Sequence, residues 1–124
     1  MKICISSTGK NIDATVDLRF GRCQYFLIVD TTTMNIKTLS NEAIRSSGGA
    51  GIQAAQNVTK EGIDAVITGN IGPNAFQILQ AANIEIYTGA QGTIQEIIEK
   101  YKKGKLQQTH SANVKSHSGI GGSK

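Results

Sequence analysis

Residues 63–82 read IDAVITGNIGPNAFQILQAA, and this stretch decides the fold. It opens with a short apolar run at residues 65–68 (AVIT), which is typical of a strand buried on both faces. The four residues 69–72 (GNIG) form a turn cluster, and Pro73 then stands where the first position of a helix tolerates proline. The pattern predicts a buried strand, a tight turn and a helix, in that order.

The predicted helix after Pro73 carries one apolar stripe, at Ala75, Ile78, Leu79 and Ala82. Asn83 can close this helix, and residues 84–87 (IEIY) begin a new strand. A strand–helix–strand unit implies parallel strands inside a sheet, so we expect residues 65–68 to lie beside the first strand and parallel to it. The turn at 69–72 then lies at the carboxyl end of a strand and the positive end of a helix, where α/β proteins usually bind ligands.

The remaining periodic segments extend this unit into one α/β domain. Strands are predicted at residues 2–6, 25–30 and 36–39, the last two as a hairpin. Two further helices are predicted, one ending at Gly62 and one that starts with a capping box (TIQE) and ends at Gly104. Their apolar positions are Ile52, Ala55, Val58, Ile94, Ile97, Ile98 and Tyr101. The order β-β-β-α-β-α-β-α indicates a three-layer α/β domain with one antiparallel strand.

Length and composition are those of a single soluble domain. The 124 residues are 39% hydrophobic and 18% charged, which allows one hydrophobic core. No apolar run approaches the roughly 20 residues of a membrane helix, and no secretion signal precedes the first strand. Cys4 and Cys23 are therefore expected to be reduced thiols rather than a disulfide, and we predict a cytoplasmic protein without a membrane partner.

The net charge of +4 is concentrated near the C-terminus. Three lysines and no acid follow residue 103, whereas the first 103 residues carry ten bases and nine acids. A nearly neutral body with few aromatic residues argues against nucleic-acid binding. Residues 107–124 have almost nothing to bury, so we predict a domain at 1–106 and a flexible basic tail at 107–124. We further expect Lys115, His117 and Lys124 in this tail to help gather anionic clusters or partners.

Familiar catalytic motifs do not fit this sequence. The run STGK at 7–10 resembles a phosphate loop, but a Walker A motif needs glycine where Cys4 stands and a hydroxyl residue where Asn11 stands. Both histidines, His110 and His117, lie in the predicted tail, where they cannot complete a nucleophile triad. We therefore predict a protein that is not an enzyme.

Three loops remain as candidates for ligand binding. Residues 48–51 and 69–72 can each direct backbone N–H groups at an anion, although such glycines also serve tight turns and close packing. The loop 17–23 (DLRFGRC) adds two arginines, which would lower the pKa of a neighbouring thiol and favour metal binding by Cys23. A lone cysteine beside a strand is, however, more often a small buried residue. The candidate binding residues are Arg19, Phe20, Gly21, Arg22, Gly48, Gly49, Gly51, Gly69, Asn70 and Gly72, and the candidate metal ligand is Cys23.

Dispersed motifs across residues 1–106 resemble one known family. They are MKICISS (1–7), FGRC (20–23) followed by YF, GGAG (48–51), GNIGPNA (69–75) and GKL (104–106). The chain resembles the dinitrogenase iron–molybdenum cofactor biosynthesis family, which includes NifX, the nitrogenase accessory factors and the C-terminal domain of NifB. The resemblance implies a ribonuclease-H-like, five-stranded mixed sheet of order 3-2-1-4-5, with strand 2 antiparallel and about three helices. It also implies binding or carrying of iron–sulfur or iron–molybdenum type clusters, or their precursors, without catalysis.

One position departs from the family pattern. The family commonly has histidine before Phe-Gly-Arg, and this position is discussed as a cluster ligand, whereas this chain has Arg19. A protonated arginine cannot bind a metal, but it can hold an anionic cluster by its charge or by hydrogen bonds to sulfide. The leading hypothesis is a small carrier or store of an anionic cluster. The alternatives are a metal-free binder of a small phosphorylated ligand and a docking module for a cofactor-assembly enzyme.

Overall fold

The computed structural model describes residues 1–46 and 48–112, which form a five-stranded mixed sheet with helices on both faces. The strands lie in the order β3-β2-β1-β4-β5. Their bounds are β1 (Lys2–Ser7), β2 (Tyr25–Asp30), β3 (Ile36–Ser40), β4 (Ala65–Ile67) and β5 (Glu85–Tyr87). The helices are α1 (Ala50–Thr59), α2 (Pro73–Ala81) and α3 (Ile94–Lys102). The predicted strand order, antiparallel second strand and three helices are confirmed, and the arrangement is compatible with the ribonuclease-H-like label.

Strand β4 is the inner parallel strand that its apolar sequence predicts. It pairs in parallel with β1, where Cys4 is opposite Val66, and in parallel with β5, where Val66 is opposite Ile86. All three residues of β4 are buried, because α-helices cover both faces of the sheet at this point. The prediction for the central strand–helix–strand unit is therefore confirmed.

Alternating side chains of the strands divide the interior into two cores. Cys4 and Val66 point to the face covered by α1 and α2, whereas Ile3 and Ile5 point to the face covered by α3. This alternation follows from the two-residue period of a strand. The sheet consequently separates α3 from the other two helices.

The buried faces of the helices differ in part from the predicted stripes. Of the stripe predicted for α2, Ile78 is only half-buried and Ala82, directly after the helix, is exposed. Phe76 is buried instead, beside Ala75 and Leu79. The capping box of α3 is confirmed: the Thr93 hydroxyl accepts from the Glu96 N–H at 3.1 Å, and the Glu96 carboxylate accepts from the Thr93 N–H at 2.8 Å. Local capping chemistry was thus easier to predict than the rotation of a helix on the sheet.

The contacts between the C-terminal segment and the sheet extend to Thr109, beyond the domain end predicted at residue 106. Gln108 lies antiparallel to Tyr87, and the Thr109 N–H donates to the Ile86 carbonyl at 2.7 Å. The Thr109 side chain also accepts the Thr88 N–H at 3.0 Å. Through these contacts the two residues cover the edge of β5. The boundary between the domain and a flexible tail at residue 107 stays a prediction. The rest of that prediction, with Lys115, His117 and Lys124, falls on 113–124 and lies outside the described residues.

Within residues 1–46 and 48–112, none of the helices combines the length and the apolar character needed to cross a membrane.

Candidate functional site

An open pocket of about 670 Å³ lies at the carboxyl ends of β1 and β4, where the three candidate loops meet. All the predicted binding residues except Gly48 and Gly69 line it: Arg19, Phe20, Gly21, Arg22, Gly49, Gly51, Asn70 and Gly72. These residues come from three separate parts of the sequence. The topology brings them together because the parallel strands β1 and β4 end at the same edge of the sheet.

The loop after β4 is joined by backbone hydrogen bonds to residues 17–23, which we call the arginine loop. The Asn70 N–H donates to the Leu18 carbonyl at 2.7 Å, and the Phe20 N–H donates to the Asn70 carbonyl at 3.2 Å. Gly69 makes this approach possible, since a Cβ there would lie 2.6 Å from the Leu18 Cα. The role of Gly69 in the structure is therefore close packing rather than a turn or an anion contact. Gly69 itself does not line the pocket.

A second close contact joins the arginine loop to the start of α1. A Cβ on Gly21 would lie 2.8 Å from both the Cα and the N of Gly51. Gly49, in contrast, has a φ of 70° and open space where a Cβ would be, so its glycine suits a left-handed backbone. Gly48 also has open space around it and does not line the pocket. The candidate glycines thus have different physical roles.

Two helices begin at the pocket without a side-chain cap. Gly49 is the N-cap of α1 and Gly72 is the N-cap of α2, and neither can supply a side-chain acceptor. The N–H groups of a first helical turn have no acceptor within their own helix. The pocket residues that carry these N–H groups are Ala50, Gly51 and Ile52 in α1 and Asn74 and Ala75 in α2. Of these, only Gly51 is a binding residue predicted from the sequence, although the place of the others directly after the glycine loops was a usable signal.

Two arginines supply the charge of the pocket. The Arg19 side chain is 68% exposed, and its Nε lies 3.4 Å from the Asp17 carboxylate. The Arg22 Nη1 donates to the carbonyls of Ile44 at 3.4 Å and Ser46 at 3.3 Å. No acidic residue occurs among the described residues that line the pocket, so its charged groups are positive.

Cys23 is placed differently from the expectation for a metal ligand. Its side chain is fully buried, does not line the pocket, and donates to the Phe20 carbonyl at 3.3 Å. Burial raises the pKa of the Cys23 thiol to about 12, and the negative charge of Asp17 adds to the rise. The expectation that neighbouring arginines lower this pKa is therefore wrong, because desolvation opposes the thiolate and the charge that acts on it is the negative charge of Asp17.

Cys23 instead lies in a group of contacts that holds the arginine loop to the core. The buried Asn41 amide donates to the Gly21 carbonyl at 3.1 Å and to the Cys23 carbonyl at 2.9 Å. Cys4 is buried in the same core, and both cysteines are free thiols. In the part of the chain that the structure describes, no three His, Cys, Asp or Glu side chains are grouped so that they could hold a metal ion.

The sequence of the whole described domain matches one family. The model of the family described as Dinitrogenase iron-molybdenum cofactor matches residues 1–104. The chain belongs to this family. Membership confirms the resemblance drawn from the dispersed motifs, and it associates the chain with cofactor binding.

Relatives of this family member share both its sequence and its fold. An uncharacterized protein of Methanocaldococcus jannaschii is 33% identical over 92 residues, which are 72% of this chain and 78% of that protein. The apo form of the orange protein from Desulfovibrio gigas has a TM-score of 0.88 at 36% identity, over 90% of this chain and 95% of that one. A Thermotoga protein provisionally named as NifB has a TM-score of 0.77 at 33% identity, over 90% of this chain and 97% of that one.

Proposed function

We propose that this family member binds an anionic metal–sulfur cluster of the iron–sulfur or iron–molybdenum type, or a precursor of one, in the pocket. It carries or stores the cluster without catalysing a reaction. One observation supports this most strongly: two uncapped helix starts and two arginines converge on one pocket whose described lining has no acid. The family assignment makes a cluster the first ligand to consider.

The electrostatics of the pocket suit a bound anion. Each helix start acts roughly as half a positive charge, and the N–H groups of α1 and α2 can donate to the same ligand. The guanidiniums of Arg19 and Arg22 add charge-assisted donors. A cluster whose outer atoms are sulfides carries negative charge and accepts hydrogen bonds at those atoms. The pocket volume of about 670 Å³ is in the range of small-molecule sites.

Within this proposal the cluster is held without a protein–metal bond. The candidate ligand Cys23 is buried and keeps its proton at neutral pH, so ligation by Cys23 would require the arginine loop to open. Ligation by Cys23, which the sequence suggested, is the alternative to this arrangement, and the direct comparison of Cys23→Ser with the native chain decides between the two. The free thiols of Cys4 and Cys23 suit a reducing compartment, so a cytoplasmic location is part of the proposal.

A small phosphorylated ligand is the second candidate. Helix starts preceded by glycine bind phosphate oxygens in many α/β proteins, and α1 and α2 offer this arrangement twice. Phosphate and a sulfide-bearing anion would use the same donors, so competition between them distinguishes the two functions. Docking onto a cofactor-assembly enzyme, by a module that holds no ligand itself, remains the third prediction of the sequence.

Tetrathiomolybdate, a soluble dianion with sulfide as its outer atoms, tests this proposal under anaerobic conditions. We expect visible absorption to co-elute with the native chain, and we expect Arg19→Ala with Arg22→Ala to weaken binding at least about tenfold, since two charge-assisted contacts are lost. Arg45→Ala is the matched control, because Arg45 is an exposed arginine paired with Glu42 that does not line the pocket. Equal binding by all three proteins, or tighter binding of inorganic phosphate in competition, would refute the cluster proposal.

A further inference from the structure

Asp17 is a buried carboxylate that does not line the pocket yet contacts one of its arginines. Its side chain is 8% exposed, whereas the Arg19 side chain is 68% exposed. The carboxylate accepts the Arg19 N–H at 2.9 Å and lies 3.4 Å from the Arg19 Nε. Asp17, the only acid of the arginine loop, therefore contacts both the backbone and the side chain of Arg19. A negative charge beside a pocket for anions does not by itself favour binding of an anion.

The position of Asp17 is fixed from the interior of the domain. Its N–H donates to the Ser6 carbonyl at 2.9 Å, and its own carbonyl accepts from the Ser6 hydroxyl at 2.7 Å. The Ser6 hydroxyl also lies 2.8 Å from the Thr68 hydroxyl. Ser6 and Thr68 are fully buried at the ends of β1 and β4. These contacts fix Asp17 at the edge of the sheet, and Arg19 is its exposed partner.

The geometry of a guanidinium gives this contact a direction. A guanidinium is planar, and it can form paired hydrogen bonds along the edge that contains Nε or along the end formed by its two Nη atoms. The Asp17 carboxylate contacts Nε. A contact at Nε leaves the end formed by the two Nη atoms available for an anion, and Arg19 lines the pocket where that anion would bind.

We propose that Asp17 is a positioning residue: it orients the Arg19 guanidinium so that its Nη end faces the anion pocket. The inference rests on the proposed function for the nature of the ligand, but the orientation of Arg19 can be measured without any ligand. Asp17 then has two opposite effects on binding. Its charge repels an anion, and its contact with Arg19 reduces the conformational entropy that Arg19 loses when the anion binds.

A double-mutant cycle separates these two effects, because they act through different residues. Asp17→Asn keeps an oxygen that can accept the Arg19 N–H but removes the charge that holds Nε. In the native background we expect Asp17→Asn to weaken tetrathiomolybdate binding about threefold to tenfold, as an oriented charged donor is lost. In the Arg19→Ala background only the repulsion remains, so the same substitution should strengthen binding. A purely structural role would weaken binding in both backgrounds, and a purely electrostatic role would strengthen it in both; either result overturns the proposal.

The Nε–H signal of Arg19 in NMR provides the measurement that needs no ligand. The sequence has three arginines, so Arg19→Ala assigns its signal directly. We expect a rigid Nε–H, by heteronuclear NOE, in the native chain and a mobile one in Asp17→Asn, with the amide spectrum of the rest of the domain retained. An unchanged NOE overturns the proposal whatever the ligand. Failure of the native chain to bind tetrathiomolybdate, with the NOE change present, refutes the cluster proposal alone, and the cycle is then carried out with inorganic phosphate.

Discussion

Substitution of Gly69 by alanine tests the contact that joins two of the three pocket loops. A Cβ at this position would lie 2.6 Å from the Leu18 Cα and 2.8 Å from the Leu18 carbonyl oxygen. Both atoms belong to the backbone, so the clash cannot be relieved by a side-chain rotation. Gly69 does not have a positive φ, and therefore the steric contact alone determines the effect.

The expected loss of stability follows from the two interactions that the clash disturbs. Overpacking of this kind costs about 1–3 kcal/mol. The backbones must separate, which also weakens the 2.7 Å hydrogen bond from Asn70 to Leu18, and that loss adds about 1 kcal/mol. We expect Gly69→Ala to lower the free energy of unfolding by about 2–4 kcal/mol in urea titrations, with an unchanged m-value. Tetrathiomolybdate binding should weaken too, since Arg19 moves with Leu18.

Gly48→Ala is the matched control for this experiment. Gly48 lies in another of the candidate loops, and no atom lies within 4 Å of the position of a new Cβ. Alanine there should leave stability unchanged or raise it by up to about 1 kcal/mol, because it restricts the unfolded chain. If Gly69→Ala were as stable as Gly48→Ala, the close contact would not be holding the loops together, and the reasoning would be refuted.

Three further predictions concern Cys23 and the C-terminal segment. Cys23→Ser should retain tetrathiomolybdate binding measured by co-elution, because the buried thiol is not a ligand in the proposed complex; abolished binding would restore its ligand role. The folded Cys23 thiol keeps its proton up to about pH 12, whereas an unfolded thiol loses it near its ordinary pKa of 9.0. This one thiol should therefore lower the free energy of unfolding above pH 9 by up to about 1.4 kcal/mol per pH unit. In urea titrations at pH 8–10, Cys23→Ala should show a shallower fall than the native chain, and parallel curves would contradict this. Truncation after residue 106 should cost about 1–2 kcal/mol relative to truncation after residue 112, through loss of the Thr109 hydrogen bonds; equal stability of the two shortened chains would show that these bonds are not stabilising.

Much of the architecture was predictable because its signals are local. The apolar run at 65–68 followed by Pro73 indicates a buried strand and a helix start, and both occur in the structure. The capping box at Thr93 was equally predictable, since its two hydrogen bonds join residues three positions apart. The dispersed motifs indicated the family and, through it, the strand order. The site could be located for the same reason: parallel strands and helix starts define one edge of the sheet.

The roles of individual residues within the site depend on contacts between distant parts of the chain. Whether Gly69 faces a ligand or packs on backbone depends on Leu18, about fifty positions away in the sequence. Whether Cys23 is a thiolate depends on burial and on Asp17, and neighbouring arginines in the sequence predicted the opposite direction. The attachment of Thr109 to β5 required an exposed sheet edge, which exists only after the sheet has assembled. The sequence by itself thus determined the elements, their order and the place of the pocket, because these follow from local periodicity and chain connectivity. Only the tertiary structure decided which groups face the pocket and which are desolvated, because burial depends on neighbours that folding brings together.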